Sequence, residues 1–145
     1  MNRFVPRELL DIGFNERHLT FRDFEMVCAS KGIIWQFVDG SDEGCTFKRR
    51  GRPVIFLNRK LSGWMLLWVA WHELAHILLG HPLGVHFFAP GTEEKHECEA
   101  NDISLCCVIP EPALQRILHA DFFEECLYPV KLVEARLLTH QLREM

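Results

Sequence analysis

Two histidines four positions apart, His72 and His76, with Glu73 directly after the first, stand out in this 145-residue chain because their types and spacing carry a definite chemistry. Four residues of α-helix turn through about 400°, so the two imidazoles project from one face a turn apart and can offer two nitrogens to one metal ion. Tetrahedral Zn²⁺ suits such a pair. A catalytic zinc site adds a third protein ligand and leaves the fourth position to water, whose pKa falls toward neutrality. Glu73 stands where it can take that water's proton. The element that must position these groups is the stretch 62–81, SGWMLLWVAWHELAHILLGH. No charged residue occurs from Leu61 to Trp71, Ser62 is placed to cap the start, and Gly80 and Pro82 mark the stop. A carboxylate and two imidazoles are costly in so apolar a helix unless something pairs with them. Core histidines satisfied by backbone carbonyls would explain neither the spacing nor the intervening Glu73.

A third ligand must come from downstream. The pattern HExxHxxGxxH would need Gly at 79 and His at 82, where this chain has Leu79 and Pro82. His81 follows His76 by five residues; on an unbroken helix it turns away from the metal, and it reads as a C-terminal residue interacting with the helix dipole. A second helix is expected over 93–108, with Thr92 as N-cap. Within it Glu97 and Glu99 lie about 200° apart, so only one can face the first helix. Glu97 shares its face with Asn101 and Ser104. Glu99 shares its face with Ile103 and Cys106, the side expected to pack on the apolar helix, which makes Glu99 the expected third ligand and Glu97 an exposed charge. Asp102 is expected to accept a hydrogen bond from the far ring nitrogen of a ligand histidine and so fix its tautomer.

The remaining sequence bounds the setting. A hydrophobic content of 48% over 145 residues fits a single domain, 1–145, with a sizeable core. The formal charge of −4 and a pI near 6.0 give no basic footprint, so direct nucleic-acid binding is disfavoured. The N-terminus lacks the apolar run of a signal peptide, and no apolar run is long enough for a membrane span, so the expected setting is cytoplasmic, without membrane contact. The six cysteines, with Cys106 and Cys107 adjacent and no C-x-x-C, read as reduced core thiols.

Thr20 and Asp23 form a capping-box pattern ahead of a helix that Gly32 ends. Residues 33–38, 45–48 and 53–58 read as strands, the last two joined by a turn at Arg49-Arg50-Gly51-Arg52. Later, Pro112 opens a helix, Asp121 with Glu124 resembles a second capping box, and 130–142 forms a last amphipathic helix. The expected fold class is α+β: a small, mostly antiparallel three-stranded sheet packed on the buried HExxH helix, with further helices covering it. For a donor to the oxyanion of a hydrolysis step the residues offer His86, His96, His119, Tyr128 and Arg136, and the spacing selects none. The loop 83–90, with His86-Phe87-Phe88, reads as a lid or as aromatics folded onto the domain.

The run Trp64 to His81 with its His-Glu-x-x-His and Leu-Leu-Gly-His, then Glu-Ala-Asn at 99–101 and an apolar stretch ending at Pro110, resembles the ImmA/IrrE-like zinc metallopeptidases. The strand Pro53–Asn58 and the tail helix with Arg136-Leu137 are similar too, so the resemblance covers most of the chain from about Ile33. It departs at Cys106-Cys107, where Ala-rich residues are common. The resemblance implies a gluzincin-type site with His72, His76 and Glu99, the Glu of Glu-Ala-Asn, as Zn²⁺ ligands and Glu73 as general base. It also implies cleavage of a helix-turn-helix repressor encoded nearby, which releases stress-response, phage or mobile-element genes. The competing expectation is a zinc-containing binding module, an antagonist or toxin-antitoxin-type partner that grips a regulator without cutting it. The intact Glu73 favours the enzyme, because a purely structural site needs no base and closes its fourth position with another ligand.

Overall fold

The computed structural model describes residues 4–84, 91–119 and 128–144. Its elements run α1 (Arg7–Leu10), α2 (Phe21–Lys31), β1 (Ile34–Val38), β2 (Gly44–Arg49), β3 (Arg52–Asn58), α3 (Gly63–Leu78), α4 (Thr92–Val108), α5 (Glu111–Leu118) and α6 (Val130–Glu144), an α+β arrangement. Local chemistry sets several boundaries. The Thr20 hydroxyl accepts from the Asp23 amide at 3.2 Å and the Asp23 carboxylate accepts from the Thr20 amide at 2.7 Å, so the capping box opens α2. Gly32 closes α2 at φ 68°, a conformation that suits glycine.

The sheet has the order β1-β3-β2. β2 and β3 form an antiparallel hairpin whose turn residues Arg50 and Gly51 both have positive φ, the combination that matches strand twist in a two-residue loop. β1 pairs with the other edge of β3 in parallel, Ile34 opposite Val54 through Val38 opposite Asn58. The sheet is therefore mixed, with one parallel and one antiparallel pairing, rather than mostly antiparallel. The sequence shows the hairpin turn, but the direction of β1 depends on where the 39–43 connection leads, and that connection passes over β3 to the far edge.

α3 packs on β2, β3, α2 and, most extensively, α4. Trp71 is fully buried at its centre, edge-on to Phe24 with ring centroids 5.9 Å apart. Ile55 and Leu57 of β3 join Val69, Ala70, Leu74 and Ala75 of α3 and the second half of α4 in one core. α1 is short, but Leu9, Phe14 and Leu19 around it are buried in the same core. Burial of this kind stabilises by about 25 cal/mol per Å² of apolar surface, so large side chains such as Trp71 and Phe24 dominate it.

The N-cap of α4 is Gly91 rather than Thr92, which is itself the first helical residue. The proposed Asp121–Glu124 capping box and the loop residues His86, Phe87 and Phe88 lie outside the described residues. Cys28, Cys106 and Cys107 are buried thiols outside any disulfide, and burial pushes the Cys28 thiol up to about 12. Cys45 and Cys98 are also outside any disulfide, but exposed rather than in the core. No helix among the described residues is long and apolar enough to cross a membrane.

Candidate metal centre

α3 carries His72 and His76 one turn apart, with side chains 14% and 13% exposed and their Nε2 atoms 3.2 Å from each other. The carboxylate of Glu97 on α4 spans the pair: Oε2 lies 2.9 Å from His72 Nε2 and Oε1 3.1 Å from His76 Nε2. Two imidazoles and one carboxylate are a donor set that zinc takes in catalytic sites. Ligands at about 2.0–2.2 Å from a tetrahedral ion stand roughly 3.3 Å from one another, close to the spacing here. The residues present therefore fit a metal ion.

The structure brings Glu97, and not Glu99, to the imidazoles. α4 meets α3 along the face of Glu97, Asn101 and Ser104, where the small Ser104 donates its hydroxyl to the Trp68 carbonyl at 2.6 Å. The apolar stripe through Ile103 and Cys106 is buried as well, but so are Leu105, Cys107 and Val108. With the end of α4 buried on every side, apolar content could not tell which face touches α3. Glu99 instead places Oε1 3.3 Å from His81 Nε2. Asp102 accepts from Thr139 Oγ1 of α6 at 3.2 Å, because its position lies about 140° around the helix from Glu97. His76 Nδ1 instead meets His81, and among the described residues the buried His72 Nδ1 has no hydrogen-bond partner.

Glu73 lies against the triad, its Oε2 4.0 Å from His72 Nε2 and its Oε1 accepting from Thr46 Oγ1 at 2.7 Å. Burial raises its pKa above the usual carboxylate range. The Thr46 hydrogen bond and His72 act against that rise, and Glu97 adds to it. Thr46 escaped the sequence reading, although two-residue strand alternation puts it on the same face of β2 as Gly44. Gly44 is there because a side chain cannot be: a Cβ would stand 2.8 Å from Val69 Cγ1 and 3.2 Å from Glu73 Cγ.

His81 departs from its expected place. The helix stops at Leu79; Gly80 takes φ 73°, its amide bonds the Ile77 carbonyl at 3.0 Å, and the His81 amide bonds the His76 carbonyl at 3.0 Å. This is a Schellman ending, and it turns the chain back so that His81 Nδ1 lies 2.9 Å from His76 Nδ1. Burial, chiefly, and the neighbouring His96 lower the His81 pKa, which keeps the ring neutral. His76 is lowered to about 4, first by burial and then by His72, with Glu97 opposing.

Two clefts of about 370 and 330 Å³ meet at Gly44, His72, Glu73 and Glu97. One runs past Asp42, Glu43, Trp68 and Asn101, the other past Cys45, Thr46, His81, Glu93 and His96. β2 forms one wall, and among the described residues its outer edge pairs with no strand. Of the oxyanion candidates, His96 lines the cleft, stacked on His81 with centroids 4.1 Å apart. Arg136 is fully buried elsewhere, donating to the Ile109 carbonyl at 2.7 Å and to Glu111 at 3.0 Å. Tyr128 packs on Trp64 with centroids 4.7 Å apart.

No curated protein and no solved structure matches the chain. The profile of the IrrE N-terminal-like domain, peptidase family M78, matches residues 35–123, from β1 past α5, and so contains Thr46, His72, Glu73, His76, His81 and Glu97. That match points to a metallopeptidase-type function. It covers more than half of the sequence, and the chain belongs to this ImmA/IrrE-like family.

Proposed function

We propose that the protein is a zinc-dependent endopeptidase whose substrate is a helix-turn-helix transcriptional repressor. The observation that carries the reading is the position of Glu73: a buried carboxylate with raised pKa, steadied by Thr46, against a triad of His72, His76 and Glu97. Zinc bound there would supply Lewis-acid polarisation of the scissile carbonyl and acidify a water. Glu73 takes the proton of the attacking water and delivers it to the leaving amine, and its raised pKa suits a group that must both accept and release a proton near neutrality. Burial favours the neutral form of His76, as a ligand imidazole must be, and Glu97 would offset part of the charge of a bound ion. An extended peptide lies along the open edge of β2, its backbone paired with the strand and its side chains in the two clefts.

The chemistry of the walls supports the substrate class. Asp42, Glu43, Glu93 and Glu97 line the clefts, and no Lys or Arg is among their described lining residues. Such a groove attracts a basic segment, and the DNA-contacting surface of a repressor is basic because it faces phosphates.

The test is incubation of the wild type and Glu73→Gln with the helix-turn-helix regulator encoded beside the gene, followed by mass spectrometry of the products. Cutting by wild type alone, with zinc retained in Glu73→Gln, is expected. Binding of the regulator without any cutting by wild type would instead establish a module that grips its target.

A further inference from the structure

We propose that His81 and Glu99 form a positioning relay that fixes the tautomer and ring orientation of His76, so that its Nε2 lone pair faces the metal. The inference rests on the reading of His72, His76 and Glu97 as a metal centre. Its geometry is a chain of three groups: Glu99 Oε1 to His81 Nε2 at 3.3 Å, His81 Nδ1 to His76 Nδ1 at 2.9 Å, and His76 Nε2 toward Glu97 at 3.1 Å.

A metal on His76 Nε2 would fix the order of protons along this chain, because that nitrogen would carry no hydrogen and the single N–H of His76 would sit on Nδ1. An ionised carboxylate only accepts, so the hydrogen between Glu99 and His81 sits on His81 Nε2. A neutral imidazole carries one N–H, so His81 Nδ1 is an acceptor, and the hydrogen between the two rings belongs to His76 Nδ1. His76 Nε2 is then left with its lone pair directed at the site. A ligand imidazole is commonly oriented through the nitrogen that does not bind metal. Here the partner is a second imidazole backed by a carboxylate.

Three features hold the relay in place. The Schellman ending at Gly80 makes the residue that caps the His76 carbonyl the same one whose ring meets the His76 ring. The His81 side chain is only 7% exposed. His96 stacks on its other face with an interplanar angle of 20°. His81, His96 and Glu99 also bring ligand atoms within 4.8 Å of one another, a spacing that could suggest a second metal site. The stacking argues against it: an ion must lie in the plane of each imidazole that binds it, and two nearly parallel rings share no such point until one of them turns.

The relay can be tested in the zinc-loaded protein by readouts other than activity. Long-range ¹H–¹⁵N correlation spectra of the imidazoles should show His81 as the Nε2–H tautomer, donating to Glu99. The His76 Nδ1 proton should be protected from solvent exchange in the wild type, exposed in His81→Leu and protected again in His81→Asn, whose amide oxygen can accept it. In chelator competition, His81→Leu should weaken zinc binding about 10- to 100-fold, as loss of an outer-shell partner does, with His81→Asn recovering most of it. An Nδ1–H tautomer of His81 in the zinc-loaded wild type would overturn the relay. So would unchanged zinc affinity in a folded His81→Leu. Uptake of two zinc ions, the second lost in His96→Ala, would also overturn it, by making His81 and Glu99 ligands in their own right. If the wild type takes up no zinc, the metal-centre reading fails and the relay with it, an outcome distinct from zinc uptake that His81→Leu leaves unchanged.

Discussion

His72 and His76 come from one helix, one turn apart, with nearly equal exposure, yet their outward nitrogens meet different surroundings. His76 Nδ1 ends on His81, whereas the buried His72 Nδ1 has no hydrogen-bond partner among the described residues. The difference arises from the helix end: the chain that turns back at Gly80 can reach the last turn of α3 but not the one before it. A His-Glu-x-x-His sequence thus supplies two ligands of the same type without supplying equal support for them.

The largest effect is expected where the two histidines share a partner. Glu97→Ala removes the carboxylate that spans both, and zinc affinity measured by chelator competition should fall by more than the roughly 100-fold upper range for an outer-shell partner. Glu99→Ala should stay within that range, so the ratio of the two variants measures how far the carboxylates differ in role. Glu73→Gln should keep its zinc and lose about 10²- to 10⁴-fold in peptide cleavage, because it removes the base beside His72 without removing a ligand.

A smaller effect is expected from the strand behind Glu73. In Gly44→Ala the new methyl meets Val69 and Glu73, and overpacking of this kind costs about 1–3 kcal/mol, readable as a lowered Tm. Thr46→Val removes a hydrogen bond that favours ionised Glu73, so the acidic limb of the pH–rate profile should move to higher pH.

The pH dependence of the zinc-free protein sharpens the contrast from the His76 side. With the folded pKa near 4 and an ordinary value of 6.5, the unfolded chain binds the extra proton first. Stability from neutral His76 is therefore complete above about pH 6.5 and is lost as pH falls toward 4. Denaturation curves across that window should show the slope in the wild type and a reduced one in His76→Gln.

Much of this was legible in the sequence because local chemistry decided it. The capping box at Thr20 and Asp23, the glycine ends at Gly32 and Gly80, and the two-residue turn at Arg50-Gly51 depend on side chains a few residues apart. The spacing of His72 and His76 is of the same kind. What was not legible depends on how elements cross. Glu97 and Glu99 are both plausible on α4 by itself, and the choice falls to a close approach that Ser104 permits at Trp68. Asp102 is drawn toward α6 by Thr139, a residue 37 positions away. The place of His81 was not legible because the glycine stop at Gly80 fixes where the helix ends but not where the chain turns next. Thr46 and Gly44 carry no motif at all; only the pairing of β2 beneath α3 shows their use.

Arg136 has a consequence for how the molecule opens. Its buried guanidinium joins the Ile109 carbonyl, Glu111 and Asn15, so one side chain of α6 ties the start of the fold to the end of α4 across 121 positions. Contacts between such distant segments give way together. Release of α6 unclasps the N-terminal turn as well, and amides near the end of α4 then exchange with solvent while the β2–β3 hairpin, built from neighbours in the chain, stays protected.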